Sequence, residues 1–193
     1  MRSICVFCGS RSGTEPAYEA AARATGRTLA DRGITLVYGG GHVGLMGVVA
    51  DATLGAGGEV VGVIPRALLE REIAHTGLTD QRVVDSMHER KALMSDLSDG
   101  FVALPGGTGT LEEFFEVLTW AQLGEHRKPC GLLNADGYYD PLLSVFDHMV
   151  AKGFLSEEHR SMVLVETEPE PLLEAFERYR PPEVPKWIDR DEV

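Results

Sequence analysis

The chain is poor in basic residues. Its 193 residues include 18 lysines and arginines against 30 aspartates and glutamates, which gives a formal net charge of −12. Nucleic acids and anionic membranes are bound through clusters of lysine and arginine, so this balance argues against both as partners. No apolar run reaches the roughly 20 residues of a membrane-spanning helix. The segment MRSICVFCGS also lacks the pattern of a signal peptide, so we expect a cytoplasmic protein.

Cysteine and histidine are too few and too scattered to suggest a metal site or a disulfide framework. Three cysteines cannot all pair. Cys5 and Cys8 form a C-x-x-C, which we interpret as two small core residues on opposite faces of a strand rather than a redox or zinc pair. The six histidines show no ligand spacing, so we expect no metal. We also expect no cofactor.

Short β-rich runs alternate with helical stretches along most of the chain. The candidate strands are 4–9, 34–39, 59–64, 81–86, 100–106, 129–134 and 161–166. The candidate helices are 15–31, 43–56, 86–98, 110–124, 138–152 and 168–180. Most strands are near-continuous apolar runs, which is typical of a parallel sheet covered on both faces. The pattern predicts one α/β domain over 1–180, with a doubly wound sheet of about seven strands, and a proline-rich tail over 181–193.

Three of the predicted strands end in glycine-rich turns. The candidates for phosphate contacts in these turns are Gly9, Ser10, Gly40, Gly41 and Gly106. Ligands of doubly wound sheets bind at the carboxyl ends of the strands, where backbone N–H groups and helix N-termini face anions. The turns therefore predict one shared anion pocket.

The turn after the second strand, GGGHVG (39–44), also fits the dinucleotide fingerprint G-x-G-x-x-G. In a dinucleotide-binding domain that fingerprint follows the first strand, and an acidic residue ends the second. Here the fingerprint follows the second strand and Glu59 precedes the third. The phosphate of a mononucleotide is the favoured ligand, and close backbone packing without a ligand stays open.

The stretch DSMHERKALMSDL (85–97) predicts a helix that carries an inward-facing arginine. Ser86 and Glu89 form a capping box at its start. An apolar stripe at helical spacing follows, made of Met87, Met94 and Leu97. Arg90 lies on that stripe and needs an anionic partner, either a buried structural carboxylate or a ligand phosphate or catalytic carboxylate. Lys91 points about 100° away from it.

The stretch LPGGTGTLEE (104–113) places carboxylates beside a loop suited to an anion. The helix expected from Thr110 buries Leu111, Phe114, Phe115, Leu118 and Ala121. Its polar arc holds Glu112, Glu113, Glu116 and Thr119. The acidic residues have a structural interpretation, because a first turn favours negative charge. The chemical interpretation is cleavage at the anomeric carbon of a sugar phosphate, with glycines and an arginine holding the phosphate and a glutamate facing the oxocarbenium-like sugar.

These motifs resemble the LONELY GUY family of cytokinin-activating phosphoribohydrolases. PGGTGTLEE fits P-G-G-x-G-T-x-x-E, and CVFCGS, LVYGGGHVGLMG, GVIP, SMHERKALM and TWAQLG follow the family in order over about residues 2–155. The resemblance implies a Rossmann-like fold and a homodimer with sites near the subunit interface. It also implies hydrolysis of cytokinin riboside 5′-monophosphates to free base and ribose 5-phosphate, with AMP as a weaker or alternative substrate.

The same resemblance assigns roles to particular residues. It implies that Arg90 and Glu113 are catalytic. The implied substrate contacts are Glu72, Arg90, Lys91, Gly107, Thr108, Gly109, Thr110, Leu111, Glu112, Glu113 and Thr119. The assignment of Glu72 rests on the resemblance alone.

Two other functions stay open and one is disfavoured. A nucleotide or cofactor carrier of the same fold would use the glycine loops but not a carboxylate at the anomeric carbon. A nicotinamide-dependent enzyme would bind NAD(P), although the chain is short for a separate substrate domain. The family has also been labelled lysine decarboxylase. Only one of the four lysines, Lys91, falls near the expected pocket, and no aspartate–lysine pattern for pyridoxal phosphate accompanies it.

Overall fold

The computed structural model describes residues 1–69 and 74–183 and contains one seven-stranded parallel sheet. Glu72 and the tail beyond residue 183 therefore lie outside the described residues. The strands are β1 (Ser3–Phe7), β2 (Thr35–Tyr38), β3 (Val60–Pro65), β4 (Asp80–Val84), β5 (Phe101–Ala103), β6 (Cys130–Leu133) and β7 (Val163–Glu166). Their order is β4-β3-β2-β1-β5-β6-β7. All seven predicted strands are confirmed, with bounds that differ by a few residues.

Eight helices and one 3-10 turn connect the strands in the described part of the chain. They are α1 (Pro16–Asp31), α2 (Gly44–Gly55), α3 (Arg66–Leu69), α4 (Met87–Asp96), α5 (Thr108–Leu123), the 3-10 turn Ala135–Gly137, α6 (Asp140–Ala151), α7 (Glu157–Ser161) and α8 (Pro169–Arg178). The six longer helices match the predicted ones. The sequence analysis missed α3 and α7, since four or five residues are too few to show a helical period. Within the described ranges, no helix has the length and apolar character needed to cross a bilayer.

The sheet is covered on both faces, which explains its apolar strands. One face packs against α1, α2 and α8, through residues such as Leu29, Val49 and Phe176. The other face packs against α4, α5 and α6, through residues such as Met94, Phe114 and Phe146. This arrangement confirms the Rossmann-like, doubly wound architecture. Cys5 and Cys8 fall in the two different clusters, and both thiols are free, as expected for core residues on opposite faces.

The strand order reverses between β1 and β5. The chain winds outward from β1 to β4, and then returns to place β5 on the other side of β1. The chain therefore leaves β1 toward α1 on one face of the sheet and leaves β5 toward α5 on the other, which opens a crevice at the carboxyl edge. A doubly wound sheet binds its ligands at such a point.

Two details of the predicted helices are wrong. Met87 was expected on the inward stripe of α4, but it is 43% exposed, because it occupies the first helical position beyond the sheet edge. Helix α5 begins at Thr108 rather than Thr110, since Gly107 takes an extended N-cap conformation. Glu112 and Glu113 consequently lie in the second turn. The helix dipole acts mainly within the first turn, so it does not account for them.

Candidate active site

A cavity of about 450 Å³ occupies the crevice where the strand order reverses. Its walls come from the loop after β1, the start of α1, the start of α2, the loop after β5 and the loop before α6. The lining residues are Gly9, Ser10, Arg11, Ser12, Gly13, Tyr18, Leu45, Pro105, Gly106, Gly107 and Tyr138. Three of the five phosphate-contact candidates, Gly9, Ser10 and Gly106, are thus brought together, as their places at the ends of adjacent strands predict.

The glycines of this cavity allow the two loops to pack without side chains between them. The N–H of Gly9 donates to the carbonyl oxygen of Pro105 at 3.1 Å. A Cβ on Gly106 would lie 2.1 Å from Oγ1 of Thr110 and 2.9 Å from the backbone nitrogen of Gly9. Gly44 adopts a φ of 57°, and a Cβ there would overlap the backbone of Ser10. Any side chain at these positions would push the loops apart and change the cavity.

Helix α5 directs its N-terminus toward the cavity edge. Gly107 is the N-cap and supplies no side-chain cap, so the N–H groups of the first turn keep no partner within the helix. Thr108 and Gly109 are exposed and Thr110 is buried. This turn offers several backbone donors to an anion together with the positive end of the helix dipole.

Tyr138 closes one side of the cavity, and the sequence analysis did not identify it. Its hydroxyl donates to the carbonyl oxygen of Gly106 at 2.5 Å, and its ring packs edge-on against Tyr18 at 5.4 Å between centroids. The turn before it contains Asp136 in the left-handed region, at a φ of 52°. The run NADGYYD does signal a turn, but its contact with the β5 loop is long-range and has no local signature.

Arg90 and Glu113 form a buried ion pair on the α4–α5 side of the sheet, and neither residue lines the cavity. Nη2 of Arg90 lies 3.2 Å from Oε1 of Glu113, and each side chain is only 11% exposed. The capping box positions the arginine. Ser86 Oγ accepts from the N–H of Glu89, and the Glu89 carboxylate accepts from the N–H of Asp85, which fixes the first turn of α4.

The pair contains one hydrogen-bond donor without a partner in the described structure, and one carboxyl group whose pKa is shifted. Nε of Arg90 is buried and has no hydrogen-bond partner in the described structure. Burial raises the pKa of Glu113, and the Arg90 guanidinium opposes that shift only in part. Buried charged groups with an unsatisfied hydrogen-bond donor are common where ligands bind, because a ligand atom can accept the missing hydrogen bond.

Lys91 lies in a second ionic cluster next to the pair, although it was expected off the buried stripe. Its Nζ donates to Oε1 of Glu112 at 2.5 Å and to Oε1 of Glu116 at 3.0 Å. Burial lowers the pKa of Lys91, but the two carboxylates outweigh it and the net shift is upward. Lys91 is therefore a fixed cation that neutralises the acidic second and third turns of α5.

The remaining candidates lie apart from the cavity or outside the described residues. Gly40 and Gly41 follow β2 but do not line the cavity; the Gly40 carbonyl accepts from the N–H of His75, and Gly41 bridges to Ala74. Thr119 is half-buried on α5. In the described ranges, no group of three or more histidine, cysteine, aspartate and glutamate side chains is placed to hold a metal ion.

The fold and this edge together define a Rossmann-like protein with a glycine-lined crevice at the carboxyl edge of the sheet and a buried arginine–glutamate pair. A family model described as "Possible lysine decarboxylase" matches residues 46–176. The chain is 53% identical over 181 residues to the probable cytokinin riboside 5′-monophosphate phosphoribohydrolase LOGL5 of Oryza sativa subsp. japonica, covering 94% of this chain and 74% of that protein. It is 51% identical over 180 residues to the phosphoribohydrolase LOG7 of Arabidopsis thaliana, covering 93% and 83%. The chain belongs to the LONELY GUY (LOG) family.

Solved structures confirm the fold at lower identity. The molybdenum cofactor binding protein of Rippkaea orientalis matches with a TM-score of 0.70 and 23% identity, over 92% of this chain and 96% of that one. The molybdenum cofactor carrier protein of Chlamydomonas reinhardtii matches with a TM-score of 0.69 and 21% identity, over the same shares. At these identities the likeness concerns the architecture alone.

Proposed function

We propose that this protein hydrolyses the N-glycosidic bond of cytokinin riboside 5′-monophosphates and releases the free base and ribose 5-phosphate. The observation that carries the proposal is the buried Arg90–Glu113 pair, 3.2 Å apart, whose glutamate lies on the helix that begins at the cavity wall with Gly107. The names of the relatives, at about half identity over most of the chain, support the same activity. Such a protein is a hydrolase of nucleoside 5′-monophosphates.

In this proposal the 5′-phosphate binds at the crevice. The first-turn N–H groups of α5 and the backbone N–H groups of Ser10 and Gly106 would donate to its oxygens, while Gly9 lines the crevice with its own N–H bonded to Pro105. By resemblance, the wider substrate contacts are Glu72, Arg90, Lys91, Gly107–Glu113 and Thr119. The overall charge of −12 gives no long-range attraction for a dianion, so local donors must supply the binding energy.

The carboxylate of Glu113 would act on the sugar rather than on the phosphate. Glu113 lies six residues after Gly107, about 9 Å along the helix axis from the N-cap. Its negative charge would stabilise the positive charge that develops on the ribose ring as the bond to the base breaks, or would orient the attacking water. Arg90 would fix the direction of that carboxylate and use its free Nε for a ligand oxygen.

A homodimer with its sites near the interface and a cytoplasmic location complete the proposal. Val83, the penultimate residue of β4, and Met87, the first residue of α4, are 39% and 43% exposed, and the sulfur of Met87 lies 3.7 Å from Nη1 of Arg90. Apolar side chains so close to a charged site are well suited to coverage by a second subunit. The cysteines of the described residues are all free and buried, which suits a reducing compartment.

The test is an incubation of the purified protein with isopentenyladenosine 5′-monophosphate, AMP and the two unphosphorylated ribosides, with free bases resolved by chromatography. We expect free base from the monophosphates and none from the ribosides, because the ribosides lack the group that the crevice binds. Release of base from all four compounds would contradict the phosphate site. Binding of AMP without any release of adenine would contradict hydrolysis and favour a nucleotide carrier.

A further inference from the structure

Gly39 lies directly under the guanidinium of Arg90. It follows β2 and is buried. A Cβ at this position would lie 2.0 Å from Nη2 and 3.1 Å from Cζ of Arg90. Real Cβ atoms essentially never approach another heavy atom so closely. The guanidinium therefore occupies the space where any other residue would place its side chain.

The backbone of Gly39 does not itself require glycine. Its φ is outside the left-handed region, in contrast to Gly40, whose φ is 73°. Alanine would fit the local conformation of residue 39 without strain. The absence of a side chain is thus explained by the arginine and not by the turn.

Few polar contacts in the described structure hold the guanidinium of Arg90 in place. Nη2 meets Glu113, Nη1 makes a long contact of 3.7 Å to the sulfur of Met87, and Nε is unpartnered in the described structure. A guanidinium has a rigid planar fork, so the surface against which it lies decides where its nitrogens point. Gly39 supplies that surface.

We propose that Gly39 is a positioning residue of the active site, which sets the place of the Arg90 guanidinium and, through it, the direction of the Glu113 carboxylate. This inference rests on the proposed function for its kinetic readout. It goes beyond that function because it assigns a role to a glycine that neither lines the cavity nor falls in any substrate contact described above.

The direct test is Gly39→Ala. The added methyl forces Nη2 to move by more than about 1 Å, and a displacement of that size costs up to about 10²-fold in rate. We expect kcat/KM to fall about 10²-fold with little change in the thermal midpoint, because the displaced atoms end a flexible side chain. Gly55→Ala is the matched control, since a Cβ on Gly55 meets nothing within 4 Å. It should leave kcat/KM unchanged.

A double-mutant cycle separates positioning from a general effect of the methyl group. In an Arg90→Lys background no guanidinium lies over residue 39, so Gly39→Ala should cost less than about 3-fold further. An equal loss of activity in both backgrounds would overturn the inference.

A titration of Glu113 provides a readout that does not depend on the reaction. In the intact protein the cation of Arg90 lowers the pKa of Glu113 against burial, so its displacement should move the ¹³C carboxyl midpoint of Glu113 to higher pH. Gly39→Ala substitutes none of the other ionisable groups around Glu113, so a shift of the midpoint reports the displacement of Arg90. These groups are Lys91, Glu112, Glu116, Cys5 and Cys8. An unchanged midpoint in Gly39→Ala would also overturn the inference. If the intact protein releases no base, the proposed function fails, while the titration still decides the role of Gly39.

Discussion

At the scale of single residues, the environment of Glu113 determines how readily this carboxyl group ionises. Burial makes the carboxylate costly and raises its pKa, while Arg90 on the neighbouring helix favours the charged form. The carboxylates of Glu112 and Glu116 raise the pKa further, and Lys91 lowers it. The balance leaves a glutamate that ionises at a higher pH than an exposed one and keeps its charge through a single close partner.

Glu113→Gln should lose about 10²–10⁴-fold in kcat, since the amide retains the shape of the side chain but removes the charge. In the proposed function, activity depends on the carboxylate of Glu113, which is lost as the pH falls through its raised folded pKa. We therefore expect the acid limb of kcat/KM above the usual glutamate value of about 4.3. Rates measured across that limb check the prediction.

The matched control is Glu125→Gln, which removes an exposed carboxylate just beyond the end of α5. It should keep both the rate and the acid limb of the intact protein. Near-normal turnover in Glu113→Gln would remove Glu113 from the mechanism. An acid limb at the ordinary glutamate value would show that the activity reports a different, solvated group.

At the scale of elements, helix α4 carries both Arg90 and Lys91, and Ser86 caps its first turn. Ser86 is its N-cap, and its hydroxyl oxygen accepts from the N–H of Glu89 at 3.1 Å. Arg90 follows one turn later, so fraying of the first turn would displace it. Ser156 caps α7 in the same way, with the N–H of His159 as donor at 3.1 Å.

Ser86→Ala should destabilise the protein by about 1 kcal/mol, the usual value of an N-cap. It should also reduce kcat/KM, because α4 carries Arg90 and Lys91. Ser156→Ala should cost a similar stability and leave kcat/KM unchanged, since α7 lies away from the site. Urea unfolding and steady-state kinetics on both variants make the comparison. Equal activity losses would show that stability alone, and not the position of α4, lowers the rate.

The elements were predictable from the sequence where their signals are local. Buried parallel strands appear in a sequence as continuous apolar runs, which makes β1 predictable; its Ile4 and Val6 are almost fully buried. The glycine turns at the strand ends are equally local signals. The capping box likewise gave the start of α4. Arg90 could be recognised as a buried cation because it lies at helical spacing from Met94.

The parts of the site that the sequence did not predict depend on long-range contacts. Lys91 was expected off the buried stripe, yet it is buried because Glu112 and Glu116 of α5 reach across to it. Tyr138 meets the β5 loop from a turn 32 residues further along the chain. Contacts between residues so far apart in the chain leave no mark in the helical or strand periodicity of the sequence.

At the scale of the whole molecule, two groups among the exposed apolar residues of the described chain can be compared. Val83 and Met87 lie near the end of β4 and at the start of α4, the helix that carries Arg90, while Val145 and Phe154 lie on α6 and the loop after it, where Phe154 is 88% exposed. A dimer with its sites near the interface would cover the first group. The second group would stay exposed in that dimer, so a substitution there serves as the control.

We expect light scattering to give the intact protein a mass of about twice 21.0 kDa. Val83→Glu should shift that mass toward one chain, because an unpaired charge inside an apolar interface is costly. It should lower activity in parallel with the loss of dimer, so that raising the protein concentration restores both. Phe154→Ser removes a side chain that is more exposed than Val83, and it should change neither the mass in solution nor the rate of hydrolysis. Dissociation by Phe154→Ser instead of Val83→Glu would place the interface away from the site, and a single-chain mass for the intact protein would contradict the dimer itself.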